Sequence, residues 1–155
     1  LSLKNPAVLL ATLGGIGWLP KAPGTWASLI TLPLGFLIIS LCGSLGLAIF
    51  CIIIFFLGIW ACSFYSGLTK THDSGDCVID ECLGQSLVIL FTPIDPMLYV
   101  IAFVYFRFFD ILKPWPTKWF DQNVKGGLGI MLDDVVAAVQ AIIVMALTIE
   151  VLNIF

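Results

Sequence analysis

The sequence predicts an all-α, multi-pass membrane helical bundle, and three observations carry that prediction. Of 155 residues, 60% are apolar and only 11% are charged, against about 25% charged in a soluble domain. So few charges cannot cover a water-facing surface. No Asp, Glu, Lys or Arg occurs between Lys21 and Lys70. A bilayer crossing needs roughly 20 apolar residues, so that stretch is long enough for two. The polar residues gather instead into a few short segments between apolar runs. One domain, 1–155, accounts for the whole chain.

Residues 6–19 are apolar but short and glycine-rich, which suits an interfacial or re-entrant segment. One Lys, an interrupted apolar run and no small-residue cleavage site argue against a signal peptide. Residues 20–28 form a loop punctuated by Pro20, Pro23 and Gly24. Helix A runs from Trp26 to Cys42 and helix B from Leu45 to Tyr65, with Gly43-Ser44-Leu45-Gly46 as the turn between them. Residues 69–81 are the most polar stretch. Residues 83–91 are apolar, Thr92-Pro93-Ile94-Asp95-Pro96 interrupts, and 97–109 resume. A second polar region, 110–134, precedes a last apolar helix over 135–155, with Glu150 near its end.

Two topologies fit this order. If residues 83–109 cross once, region 110–134 lies opposite the other polar loops. If they turn back at Pro93–Pro96, all three polar regions meet on one side. The positive-inside preference favours the second, since Lys4, Lys21, Lys70, Lys113, Lys118 and Lys125 are then all cytoplasmic. Each half of 83–109 is then too short to span, which gives three full spans plus a re-entrant or partly immersed hairpin. Such a hairpin is tolerated where protein covers its backbone.

A net charge of −3 with no basic stripe excludes a nucleic-acid partner. Cys42, Cys51, Cys62, Cys77 and Cys82 show no metal-finger spacing, and in apolar runs a free Cys acts as a small hydrophobe. The expectation is no disulfide and no zinc.

Four clusters could carry chemistry. The first is His72, Asp73, Asp76, Asp80 and Glu81. Asp73, Asp76 and Asp80 share a face if helical, and Asp80-Glu81 opens an apolar helix at the membrane boundary. Helix capping is the plain alternative, but charge near lipid is costly and packed carboxylates call for a cation. Mg²⁺ takes oxygen ligands, often one or two carboxylates plus substrate phosphate. The second is Asp133-Asp134, after the glycine-rich 126–129; one acid could cap the last helix, which leaves the other unexplained. The third is Arg107, Asp110 and Lys113, at three-residue spacings. It is either an interfacial salt bridge with snorkelling bases or a cationic clamp on phosphate. The fourth is Lys21, Gly24, Thr25 and Ser28, where a helix start with free N–H groups forms a phosphate site in principle or an ordinary loop and cap. Trp115, Trp119 and Phe120 suit an aromatic belt at headgroup level. The chain lacks the cysteine–arginine loop of cysteine phosphatases, the basic signatures of histidine-nucleophile lipid phosphatases and the paired aspartates of haloacid-dehalogenase-type enzymes. A metal-and-carboxylate site at a membrane surface remains.

Residues 20–29 (PKAPGTWASL), 72–85 (HDSGDCVIDECLGQ) and 107–135 (RFFDILKPWPTKWFDQNVKGGLGIMLDDV) resemble the signatures of the phosphatidylglycerophosphatase A family. The likeness runs in order from about residue 5 to residue 140. In the first block it covers Lys21, Pro23, Gly24, Thr25 and Ser28; in the second, His72, Asp73, Asp80, Glu81 and Gly84. In the third it covers Arg107, Asp110, Lys113, Pro114, Pro116, Asp121, Gly126, Gly127, Asp133 and Asp134. Asp76, Cys77 and Cys82 fall where the family varies. The resemblance implies a bacterial inner-membrane, Mg²⁺-dependent enzyme that dephosphorylates phosphatidylglycerophosphate in the last step of phosphatidylglycerol synthesis. On that expectation Asp80, Glu81, Asp133 and Asp134 hold Mg²⁺ at the cytoplasmic face, and Asp110, His72 and Asp73 assist catalysis. Lys21, Gly24, Thr25, Ser28, Arg107 and Lys113 bind the phosphate. The other reading is a membrane ion-path or transport protein whose acids line the path; it predicts acids deep within helices.

Overall fold

The computed structural model describes residues 1–71 and 74–152. These are all-helical: α1 Pro6–Ala11, a 3-10 turn Ile16–Trp18, α2 Pro23–Thr69, α3 Ile79–Leu90, α4 Pro96–Leu112, α5 Thr117–Asn123 and α6 Gly126–Leu152. Among them α2 and α6 are long and apolar enough to cross a membrane, with mean hydropathies of 2.7 and 2.4. Their most apolar stretches are only 17% and 22% buried inside the protein. A soluble core helix of that composition would be mostly covered; here Phe56, Ile52, Leu41 and Leu147 face outward, as lipid-facing residues do.

A straight helix the length of α2 would be about 70 Å long. Instead it breaks at Gly43, whose φ of 72° and ψ of −178° lie outside the helical region and are open to glycine at little cost. The two halves fold back on each other. Trp18, just before α2, donates from Nε1 to the hydroxyl of Tyr65 near its end at 3.2 Å. The turn expected at Gly43 is therefore where the chain reverses.

Helix α3 is the central element, buried on nearly every face and packed against α2, α4 and α6. Glycines set these approaches. A Cβ on Gly84 would lie 2.4 Å from the Phe106 ring and 3.2 Å from the Asp134 carbonyl oxygen, and one on Gly35 would lie 3.1 Å from Ile89. Beyond Leu90 the chain turns, and Asp95 starts α4 by accepting from the N–H groups of Met97 and Leu98 at 2.9 and 3.0 Å. Pro96, with its fixed φ, suits the first helical position. Helix α4 returns along α3, so Arg107 near its end meets Glu81 near the start of α3. Helices α3 and α4 are thus antiparallel, with the chain turning between Leu90 and Pro96. Ala102, Ala137, Ala138 and Ala141 let α4 and α6 pack closely around Phe106 and Met145.

Three expectations need correction. Helix α6 starts at Gly126, not at residue 135, so Asp133 and Asp134 lie two turns inside it and neither is a cap. The glycines there serve close packing: a Cβ on Gly127 would sit 2.2 Å from the Ile59 carbonyl oxygen, and one on Gly129 would sit 2.1 Å from that of Val124. Second, Asp76 lies in a turn before α3 and shares no helical face with Asp80. It accepts instead from the Tyr65 hydroxyl at 2.9 Å, and Val78 N–H donates to Ala11 O at 2.8 Å, so 74–78 is tied to α2 and α1. Third, Cys62 and Cys77 form a disulfide, with Cα atoms 6.4 Å apart. The segment 74–78 folds onto the end of α2, which brings together two cysteines that the sequence separates into a helix and a loop.

Gly127→Ala should push α6 from α2 and lower the thermal midpoint of the detergent-solubilised protein by an amount matching about 1–3 kcal/mol of overpacking. Gly67→Ala, with open space at its Cβ position, should leave the midpoint unchanged or raise it. Equal midpoints for both variants would contradict this packing.

Candidate active site

Four elements bring their charged residues to one end of the bundle. Helix α3 opens there with Asp80 and Glu81 in its first turn. Helix α4 ends there with Arg107, Asp110 and Lys113, α5 contributes Asp121, and α6 contributes Asp133 and Asp134. All eight line one pocket of about 290 Å³.

Each base serves two acids. Arg107 Nη1 contacts Asp110 Oδ2 and lies 3.9 Å from Glu81 Oε1. Lys113 Nζ donates to Asp133 Oδ2 at 2.5 Å and to Asp121 Oδ1 at 3.1 Å. Lys113 is the C-cap of α4, with left-handed φ of 47° and ψ of 56°, a conformation that costs a non-glycine residue about 1–3 kcal/mol. Burial alone would lower the Lys113 pKa, but the carboxylates of Asp133 and Asp121 outweigh it and hold the ammonium above its ordinary range. Lys113 is thus a fixed positive charge.

The acids outnumber their bases. Asp80 Oδ1, Glu81 Oε2, Asp133 Oδ1 and Asp134 Oδ2 are buried with no hydrogen-bond partner among the described residues. Carboxylate oxygens of Asp80, Asp133 and Asp134 lie within 4.8 Å of one another, as do those of Glu81, Asp110 and Asp134. Ionised carboxylates so packed and so stripped of donors are costly unless a cation lies among them. An all-oxygen donor set suits a hard cation such as Mg²⁺, so the residues fit that ion.

Residues 9–149 match the model of the family described as Phosphatidylglycerophosphatase A. The chain belongs to the phosphatidylglycerophosphatase A family. A Haemophilus influenzae protein named Phosphatidylglycerophosphatase A is 43% identical over 93% of this chain and 89% of its own length. An Escherichia coli protein of the same name is 39% identical over 90% of this chain and 81% of its own. A Bacteroides thetaiotaomicron relative, 35% identical over 93% of this chain and 96% of its own, is provisionally named a phosphatidylinositol-3-phosphatase. No solved structure matches.

In this family member the first three expected clusters converge, apart from His72 and Asp73, which lie outside the described residues, and Asp76. The fourth cluster divides. Gly24 packs against the site, where a Cβ would lie 2.3 Å from Glu81 Oε1 and 3.4 Å from Arg107 Nη2. Ser28, one helical turn further on, is fully buried and its hydroxyl has no partner among the described residues. Thr25 is half-buried beside Gly24, its N–H donating to Ala22 O at 3.0 Å. Lys21 is exposed in a shallow groove with Leu19, Pro20 and Trp26, outside the pocket. Asp121 was not among the expected site residues, although it holds Lys113. Its lone position in a short polar helix gives little signal; only the family match pointed to it.

Gly24→Ala should displace the Glu81 carboxylate from Arg107. Displacement of a catalytic group by about 1 Å can cost on the order of 10²-fold. Phosphate release from a lipid phosphomonoester should fall by at least about tenfold, with the thermal midpoint little changed. Full activity in Gly24→Ala would detach Glu81 from catalysis.

Proposed function

We propose that this chain hydrolyses the terminal phosphate of phosphatidylglycerophosphate, giving phosphatidylglycerol and inorganic phosphate, in a Mg²⁺-dependent reaction at the cytoplasmic face of a bacterial inner membrane. One observation carries the reading: six carboxylates, one guanidinium and one ammonium line a single pocket at the end of an apolar bundle, in a chain whose relatives are named for this phosphatase. A pocket of about 290 Å³ has room for a phosphate-bearing headgroup but not for two acyl chains, which stay in the bilayer.

The proposed topology has three full spans: the halves of α2 on either side of Gly43, and α6. At 12 and 17 residues, α3 and α4 are about 18 and 25 Å long, short of a hydrocarbon core of about 30 Å. They form a partly immersed hairpin, its open end at the cytoplasmic face.

Asp80, Glu81, Asp133 and Asp134, with Asp110, would hold Mg²⁺. Bound there, Mg²⁺ supplies polarisation of phosphoryl oxygens and a lowered pKa for a coordinated water. Lys113 and Arg107, each shared between two carboxylates, would orient the phosphate by hydrogen bonding, with Arg107 Nε, buried and without a partner among the described residues, as a further donor. The backbone around Gly24 lets the headgroup approach Glu81. Water attacks phosphorus in line, the bond from phosphorus to the glycerol oxygen breaks, and a neighbouring carboxylate passes water's proton to that departing oxygen. Electrostatic stabilisation of the transferring group is the main catalytic contribution. A phospho-aspartate route is the alternative, and an acid-quenched single turnover with phosphorus-labelled substrate separates the two: direct attack leaves no label on the protein, whereas an aspartyl intermediate leaves acid-stable, hydroxylamine-labile label on it. The ion-path reading is not carried further, because the relatives are phosphatases by name and the acids meet at one end of the bundle.

Purified full-length protein should release phosphate from phosphatidylglycerophosphate with Mg²⁺, stop in excess EDTA and recover when Mg²⁺ is restored. Asp80→Asn should lower the rate by at least about 10²-fold, the scale of losing one stabilising group. Undiminished release in EDTA would end the Mg²⁺ assignment; release only from other lipid phosphates would end the substrate assignment.

A further inference from the structure

We infer that the pocket holds two divalent cations bridged by the Asp134 carboxylate. The inference rests on reading the carboxylates as a cation site and not on which lipid is cleaved. Two separate trios of carboxylate oxygens come within 4.8 Å, Asp80–Asp133–Asp134 and Glu81–Asp110–Asp134, and Asp134 alone belongs to both. Each trio has its own base: Lys113 on Asp133 and Arg107 on Glu81 and Asp110. Asp134 pairs with neither base among the described residues. It is 2% exposed and among the residues lining the pocket, and its Oδ2 is buried with no partner among the described residues. Asp133 Oδ1 and Asp80 Oδ1, on residues 5% and 8% exposed, are also unpartnered. In the other trio Glu81 Oε2 is unpartnered as well, while Asp110 is held by Arg107, so each trio keeps at least two carboxylates with an oxygen open to a ligand.

Charge supports the same number. The pocket's six carboxylates against Arg107 and Lys113 leave four negative charges. One divalent cation would leave two, to be met by an incoming phosphate dianion; two cations make the pocket neutral before it arrives. A paired site also suits phosphoryl transfer, because cations about 3.5–4 Å apart can clamp the attacking and leaving oxygens together. The division of labour follows: Asp80 and Asp133 hold one cation, Glu81 and Asp110 the other, and Asp134 sets their separation.

The test uses detergent-purified full-length protein with Mn²⁺ as probe, read by metal content after desalting and by electron paramagnetic resonance. Wild type should retain two Mn²⁺ per chain with a spin-coupled spectrum. Asp80→Asn should retain one, with the six-line spectrum of isolated Mn²⁺, and so should Glu81→Gln in the other trio. Asp134→Asn should lose the coupling at any occupancy. Circular dichroism checks that each variant is helical, and the two single-trio variants decide the matter should Asp134→Asn not fold. One Mn²⁺ per chain in wild type at saturation, or a coupled pair that persists in Asp134→Asn, would overturn the inference. Lipid phosphate release with a single Mn²⁺ would overturn it while leaving the proposed activity intact. Two coupled Mn²⁺ without phosphate release would do the reverse.

Discussion

The arrangement depends on one constraint: several carboxylates must be held together, mostly buried, at the end of helices that otherwise face lipid. Asp80, Asp133 and Asp134 are all under a tenth exposed and have few donors. Burying bare carboxylates is strongly unfavourable, so the rest of the molecule must force them into contact. Helix α3 does so by lying at the centre with α2, α4 and α6 around it. Gly84 is the pivot: a side chain there would meet both Phe106 and the backbone of Asp134, separating the acids of α3 from those of α6. The backbone packing and the electrostatics of the site are thus one problem.

The surrounding segments act as braces. Lys113, in its left-handed cap, joins α6 to α5 through Asp133 and Asp121. Gln140 on α6 accepts from Thr117 and donates to the Trp115 carbonyl at 3.1 Å, which fixes the turn before α5. On the other side Tyr65 links Trp18 to Asp76, and the disulfide holds Cys77 to α2. Gly75 and Cys77 line the pocket, so this second brace shapes the rim of the site.

Much of the site was legible because chemistry leaves a strong mark in an apolar chain. With few charges to place, Asp80-Glu81, Arg107 with Asp110 and Lys113, and Asp133-Asp134 stand out against lipid-facing sequence, and the structure gathers them. The reversal at Gly43 was legible from a short glycine and serine break in a long apolar run. What was not legible depends on tertiary approach. The run Gly126–Gly129 reads as a loop by composition, but its glycines are there for helix contact, so the last helix starts earlier than its apolar pattern. The spacing put Asp76 on one face with Asp80 if helical, whereas its bond from Tyr65 and its place beside Gly17 show that it braces a loop. The Cys62–Cys77 pair was invisible because its closeness follows from how residues 74–78 fold.

The position of the acids also bears on how the activity divides between protein and membrane. An ion path would carry charge through the bundle, yet the interior below the site is filled by Phe106, Met131, Leu83 and Ile89, all essentially unexposed. The pocket is polar at one end and closed by apolar packing beneath. Such a shape admits water and a phosphate from one side and leaves acyl chains to the lipid-facing flanks of the helices. On the proposed function, recognition would fall on phosphate charge more than on the alcohol that carries it. The names of two relatives, for different lipid phosphates, accord with that reading.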